Sequence, residues 1–111
     1  MTESQLGRDG GLREFELSFR VSVPLSRIFV ILGDISQWPA EQEPRMLVRK
    51  ELDRLTMAFG DMTRASVTFT SSGDSSDIVV FHELCKSQQQ VDGWRDFWFT
   101  LRENLKKRLG V

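Results

Sequence analysis

The chain has 111 residues and a formal net charge of −1, from 15 Lys+Arg against 16 Asp+Glu. Hydrophobic residues make up 40% and aromatics 10%. A chain of this length forms one domain and buries about two-thirds of the surface of its unfolded form, enough for a core without disulfide or metal. With no basic excess, neither a nucleic acid nor an anionic membrane is held by bulk charge. One cysteine and one histidine cannot make an internal disulfide or a four-ligand N/S metal site.

Residues 1–12 are small, polar and glycine-rich and read as a flexible tail, with a single domain over 13–111. The opening MTESQLGRDGGL lacks the basic and apolar regions of a signal peptide. No apolar run approaches the roughly 18 residues of a membrane span. The expectation is a cytoplasmic protein in a reducing compartment.

The first strand is expected over about 13–23. Phe15, Leu17, Phe19, Val21 and Val23 alternate with polar residues, which gives one buried and one wet face. Pro24 stops it and starts a helix whose stripe is Leu25, Ile28, Phe29 and Leu32, with Gly33 as its C′ residue. A second helical turn over 34–38 is closed by Pro39, and 39–44 reads as a loop. Four short strands follow, at about 45–51, 54–59, 63–71 and 77–84. Alternation in the first is poor, because Met46, Leu47 and Val48 are consecutive. In the last, Ile78, Val80, His82 and Leu84 share a face. Ser72-Gly73-Asp74-Ser75 is turn chemistry. The final element is a helix over about 88–109, capped by Ser87 and Gln90. Its apolar stripe is Val91, Trp94, Trp98, Leu101, Leu105 and Leu109, flanked by Phe97. Gly93, a costly helix-interior residue, reads as a point of close approach to the sheet. The fold class is therefore α+β: a curled antiparallel sheet of about five strands packed on a long C-terminal helix, with one or two short helices after the first strand.

This order resembles the START-like (SRPBCC) helix-grip superfamily, and within it the activator of Hsp90 ATPase homologue 1-like family. The segments FRVSVPLSRIFVILGDISQW, RLTMAF, RASVTFTSSGDSSDIVVFHEL and VDGWRDFWFTLRENLKKRL carry the likeness, across about residues 14–109. The family usually has further strands before the Arg-Leu strand. Only the sixteen residues from Pro39 to Arg54 stand there in this chain, so a smaller, more open or collapsed cavity is expected. The resemblance implies a stress-response or chaperone-associated role, or an apolar ligand cavity between sheet and helix.

Three groups of residues could carry function. His82 reads either as a packed core histidine or as a group that meets a ligand or moves a proton; Asp34 or a backbone carbonyl could orient it. Trp94 and Trp98 would roof a cavity with Phe59, Val67 and Phe69 as its floor, or form ordinary core. Arg20 could fix a polar end of a ligand. Phe99, Arg95 and Arg102 form either a partner-binding surface or a solvated face. Cys85, on the face opposite His82, reads as a buried or inert thiol. Walker A, GxGxxG, HExxH and CxxC patterns are absent, so no cofactor, metal or catalytic residue is assigned. The leading reading is a non-enzymatic module that holds a small hydrophobic ligand between sheet and helix, as a monomer or weak dimer. The alternatives are a protein-interaction module with a filled cavity and a small cyclase- or hydratase-type enzyme using His82.

Overall fold

The computed structural model describes residues 12–109, and the proposed tail 1–12 lies almost wholly outside them. Strand β1 (Arg13–Val21) is followed by helix α1 (Leu25–Gly33) and two 3-10 turns, Ile35–Gln37 and Ala40–Gln42. Strands β2 (Arg45–Lys50), β3 (Arg54–Ala58), β4 (Arg64–Ser72) and β5 (Ser75–Cys85) then lead into helix α2 (Gln88–Leu109). The five strands form one antiparallel sheet in the order β1-β5-β4-β3-β2. Every sequential connection within β2–β5 is a hairpin, as short links require. β1 closes against β5 at the far edge.

Both helices cover the same face of the sheet. α1 packs on β4 and β5, and α2 packs on β1 and β5. The core lies between, built from the alternate residues Leu55, Met57, Ala65, Val67, Phe69, Ile78 and Val80 of the strands. Ile28, Phe29 and Leu32 contribute from α1, and Val91, Trp94, Trp98 and Leu105 from α2. Trp38, just after the first 3-10 turn, is also buried, and its indole N–H donates to the Leu32 carbonyl at 3.0 Å. That bond ties the turn to the end of α1.

Several local expectations are corrected. Gly33 is the last helical residue rather than C′. Asp34 follows it in extended geometry and caps the 3-10 turn through a bond from the Ser36 N–H at 3.1 Å. Residues 40–42 are a helical turn rather than loop. It is held against the β3–β4 connection because the Gly60 N–H donates to the Gln42 carbonyl, and any side chain at 60 would run into Glu43. The poor alternation at 45–51 is a β-bulge: Met46 pairs with Met57 and Val48 with Thr56, which leaves Leu47 over.

A second irregularity lies at the end of β5. His82 pairs with Phe15 but Cys85 pairs with Arg13, and Leu84 has φ 68°. The bulge inverts the alternation. Cys85, rather than Leu84, takes the buried position, so it shares the inner face with His82 instead of opposing it. Gly93 is also not a close approach. A Cβ there would meet nothing within 4 Å.

Candidate functional site

His82 sits at the centre of the interface between sheet and α2, with 0% of its surface exposed. Its Nδ1 accepts from the Trp98 indole N–H at 3.0 Å. An indole nitrogen only donates, so Nδ1 is unprotonated and the ring carries its proton on Nε2. That proton is directed to Thr63 Oγ1, 2.9 Å away. The Thr63 hydroxyl in turn donates to Asp61 Oδ1 at 2.6 Å. Asp61 also accepts from the Thr63 N–H, the Gln90 carboxamide and the Trp94 indole N–H, at 3.0, 3.0 and 2.7 Å. A continuous chain of bonds therefore runs from Trp98 through His82 and Thr63 to Asp61 and back to α2.

Charge follows from this wiring. Burial drives His82 down to about 4, against a smaller opposing pull from the Asp61 carboxylate. Partial burial pushes the Asp61 carboxyl up. The bonds from Thr63, Trp94 and Gln90 together outweigh it and hold the group below the usual carboxylate range. At neutral pH the pair is thus a neutral imidazole and an anion separated by a hydroxyl. Both imidazole nitrogens are engaged within the protein, so neither is free to exchange a proton with a substrate.

The structure brings Phe59, His82, Trp94 and Trp98 into one aromatic cluster, with Val67 and Phe69 further along the same face of β4. Phe59 lies parallel to His82 with centroids 5.6 Å apart, Trp94 is 4.4 Å from His82, and Phe59 is 4.5 Å from Trp94. Trp98 meets His82 edge-on at 6.2 Å, while Val67 is buried opposite Val80 and Phe69 packs edge-on against Phe29 of α1 at 5.1 Å. Phe15 lies parallel to His82 at 5.6 Å, and Trp38 meets Trp98 edge-on at 5.5 Å. Asp34 does not orient His82, since it caps the turn after α1. Arg20 faces the other way, in a two-pronged pair with Asp77 at 2.7 and 3.1 Å.

Phe99 is 41% exposed under the Arg102 guanidinium, 5.2 Å from the ring centre. Arg102 also pairs with Glu103. Arg95 instead lies over Phe15 at 5.1 Å, so it buttresses the edge of the core.

Open volume lies along the other flank of α2. A groove of about 370 Å³ runs between α2 and the 3-10 segment, lined by Gln37, Pro39, Phe97, Leu101 and Leu105 with Thr100, Asn104 and Arg108. A dimple of about 60 Å³ beneath Gln37 reaches Ile31, Leu32 and Trp38. A further cleft of about 260 Å³ is bordered by Gln42, Gln90, Gly93, Trp94 and Phe97. Of the six expected pocket residues, Trp94 alone borders any of these three volumes.

Among solved structures, CalU16 from Micromonospora echinospora matches with a TM-score of 0.63 at 16% identity, over 86% of this chain and 78% of that one. This chain has the helix-grip fold. A polyketide-cyclase-like protein from Corynebacterium glutamicum matches with a TM-score of 0.50 at 13% identity, over 86% of this chain and 80% of that one. No family model and no curated protein matches the chain. Within this helix grip, no helix of the described residues is long and apolar enough to cross a membrane. No group of three or more His, Cys, Asp or Glu among them could hold a metal ion.

The residues that sequence reasoning missed are Thr63 and Asp61. Thr63 was within reach, because it continues the inward alternation of Ala65, Val67 and Phe69, and Ala65 pairs with His82. Asp61 carried only the Asp-x-Thr spacing of a local turn, in which its carboxylate takes the N–H two residues on.

Proposed function

We propose that this protein is a non-enzymatic binding module that takes a small, largely apolar molecule against the flank of α2. The observation that carries this reading is the groove of about 370 Å³ floored by Phe97, Leu101, Leu105 and Pro39, a volume in the range of small-molecule sites. In this reading Trp94, Trp98, His82, Phe59, Val67 and Phe69 form the packed core behind the groove lining, and Trp94 alone reaches open space, at the adjoining cleft. The engaged nitrogens of His82 support binding over acid–base catalysis.

The test is calorimetric titration with undecanoate. Saturable binding to the unaltered protein, weakened about tenfold by Leu101→Gln with the thermal midpoint held, supports the groove. No heat with undecanoate at either of two well-separated temperatures refutes it, because apolar burial changes heat capacity.

The four matching segments support kinship with the activator of Hsp90 ATPase homologue 1-like family, and with it a second reading. Phe99 and Arg102, with Arg95 at their side, would dock a chaperone or other protein partner. The exposed Phe99 ring under a guanidinium favours it. These residues lie roughly half a helical turn from the groove, so the two readings do not compete for surface.

A further inference from the structure

If the groove takes a ligand as proposed, α2 offers that ligand more length than the groove itself. Glycine inside a helix costs about 1 kcal/mol relative to alanine. Packing does not account for Gly93, because a Cβ there meets nothing within 4 Å. What the missing side chain leaves open is the cleft of about 260 Å³ beside Trp94 and Phe97. Phe97 borders both this cleft and the larger groove, so the two volumes adjoin along one helix.

The walls of the cleft are fixed. Trp94 spends its N–H on Asp61, which leaves the ring itself as its contact surface. Trp94 and Phe97 meet edge to face with centroids 5.0 Å apart. Gln90 accepts from the Lys86 N–H at 2.6 Å and donates to Asp61 at 3.0 Å, so its carboxamide is held in place. A planar ring suits such a notch. From Gly93 to Arg108 is about 22 Å along the helix at 1.5 Å per residue. Along that length Phe97, Leu101 and Leu105 make an apolar rail, and Thr100, Asn104 and Arg108 a polar one. The helix C-terminus carries a partial negative charge. Lys106, Lys107 and Arg108 in the last turn offset it, and Arg108 is the one of the three that lines the groove.

We propose that groove and cleft form one elongated site for an amphiphile, with a carboxylate at Arg108, an apolar chain over Leu105 and Leu101, and a planar ring in the Gly93 notch beside Trp94. The length explains why the glycine is placed a full turn beyond the groove.

Two probes separate this inference from the groove reading. Undecanoate fills the groove only, and 11-(dansylamino)undecanoate adds a naphthalene ring on the same chain. The unaltered protein should bind the dansyl probe about tenfold more tightly than undecanoate, the gain of one well-placed ring. Gly93→Leu fills the notch, and Gln42→Trp fills it from the opposite wall should the first variant fold poorly. Either should abolish the tenfold gain and leave undecanoate within about twofold. Equal affinity for the two probes in the unaltered protein overturns the elongated site, as does a gain that survives both variants; the groove stands in either case. Failure of both probes to bind the unaltered protein overturns the groove and the inference together.

Discussion

His82 is the only histidine in the chain, which makes its wiring directly measurable. Its folded value of about 4 lies below the 6.5 of an unperturbed imidazole. The unfolded chain therefore binds a proton more readily than the folded one. The resulting stability is complete above about pH 6.5 and is lost as pH falls towards 4, a total of about 3 kcal/mol. The cause is burial of the ring, opposed by a smaller pull from the Asp61 carboxylate, and the wiring agrees with it: a proton on Nδ1 would point at the Trp98 N–H, which cannot accept it. Asp61 acts in a separate window. Its depressed value adds stability above the ordinary carboxylate range that is lost only as pH falls through its folded value. The assay is urea unfolding between pH 7.5 and 4.5, followed by far-ultraviolet circular dichroism, with the single imidazole titrated by NMR. Stability should fall by about 2 to 3 kcal/mol over that range. His82→Asn keeps an acceptor for the indole and cannot titrate. It should cost about 1–3 kcal/mol at pH 7.5 through lost packing and bonding, and should show almost no slope above pH 5. A flat profile for the unaltered protein, or an imidazole titrating near 6.5, would refute the reasoning.

Two further predictions concern the β3–β4 connection. Asp61→Asn removes the anion that four donors share, and should lower unfolding free energy by about 1.5–3 kcal/mol at pH 7, read from denaturant midpoints. Met62 is 73% exposed with φ 73°, so its side chain gives little packing in return for a left-handed backbone. Met62→Gly should raise stability by roughly 0.5–1 kcal/mol, visible as a higher thermal midpoint. A lower midpoint would show that the side chain contributes packing that its exposure hides.

Much of the fold was legible because its strands alternate and α2 carries a narrow stripe. β1, β4 and the middle of β5 keep period two, and the indoles at 94 and 98 face the sheet as their spacing requires. What escaped were the places where backbone geometry overrides periodicity. The bulge at Leu84 moves Cys85 inward, and no residue there announces a positive φ, since leucine is a poor choice for one. The bulge at Leu47 was visible only as broken alternation. Function was less legible for a related reason. Aromatic spacing located the wall of Trp94, Trp98 and His82, but not whether rings fill the space or enclose it. That depends on how Trp38 and Phe97 pack, at 5.9 Å and 23° from each other, and sequence separation of this size carries no such information. A mid-helix glycine in sequence signals close approach, which Gly93 does not make. Only the empty space around it reassigns its role.

The indole N–H signals of Trp38, Trp94 and Trp98 report separately on the rim and the centre of the molecule. Titrating undecanoate while recording amide and indole NMR spectra therefore tests the groove account most directly. Shifts confined to Gln37, Phe97, Thr100, Leu101, Asn104, Leu105 and Arg108, with the Trp98 indole and the His82 ring unmoved, are the predicted result. Large shifts of the Trp98 indole and His82, with the flank of α2 silent, would place the ligand inside the sheet–helix interface and contradict the account.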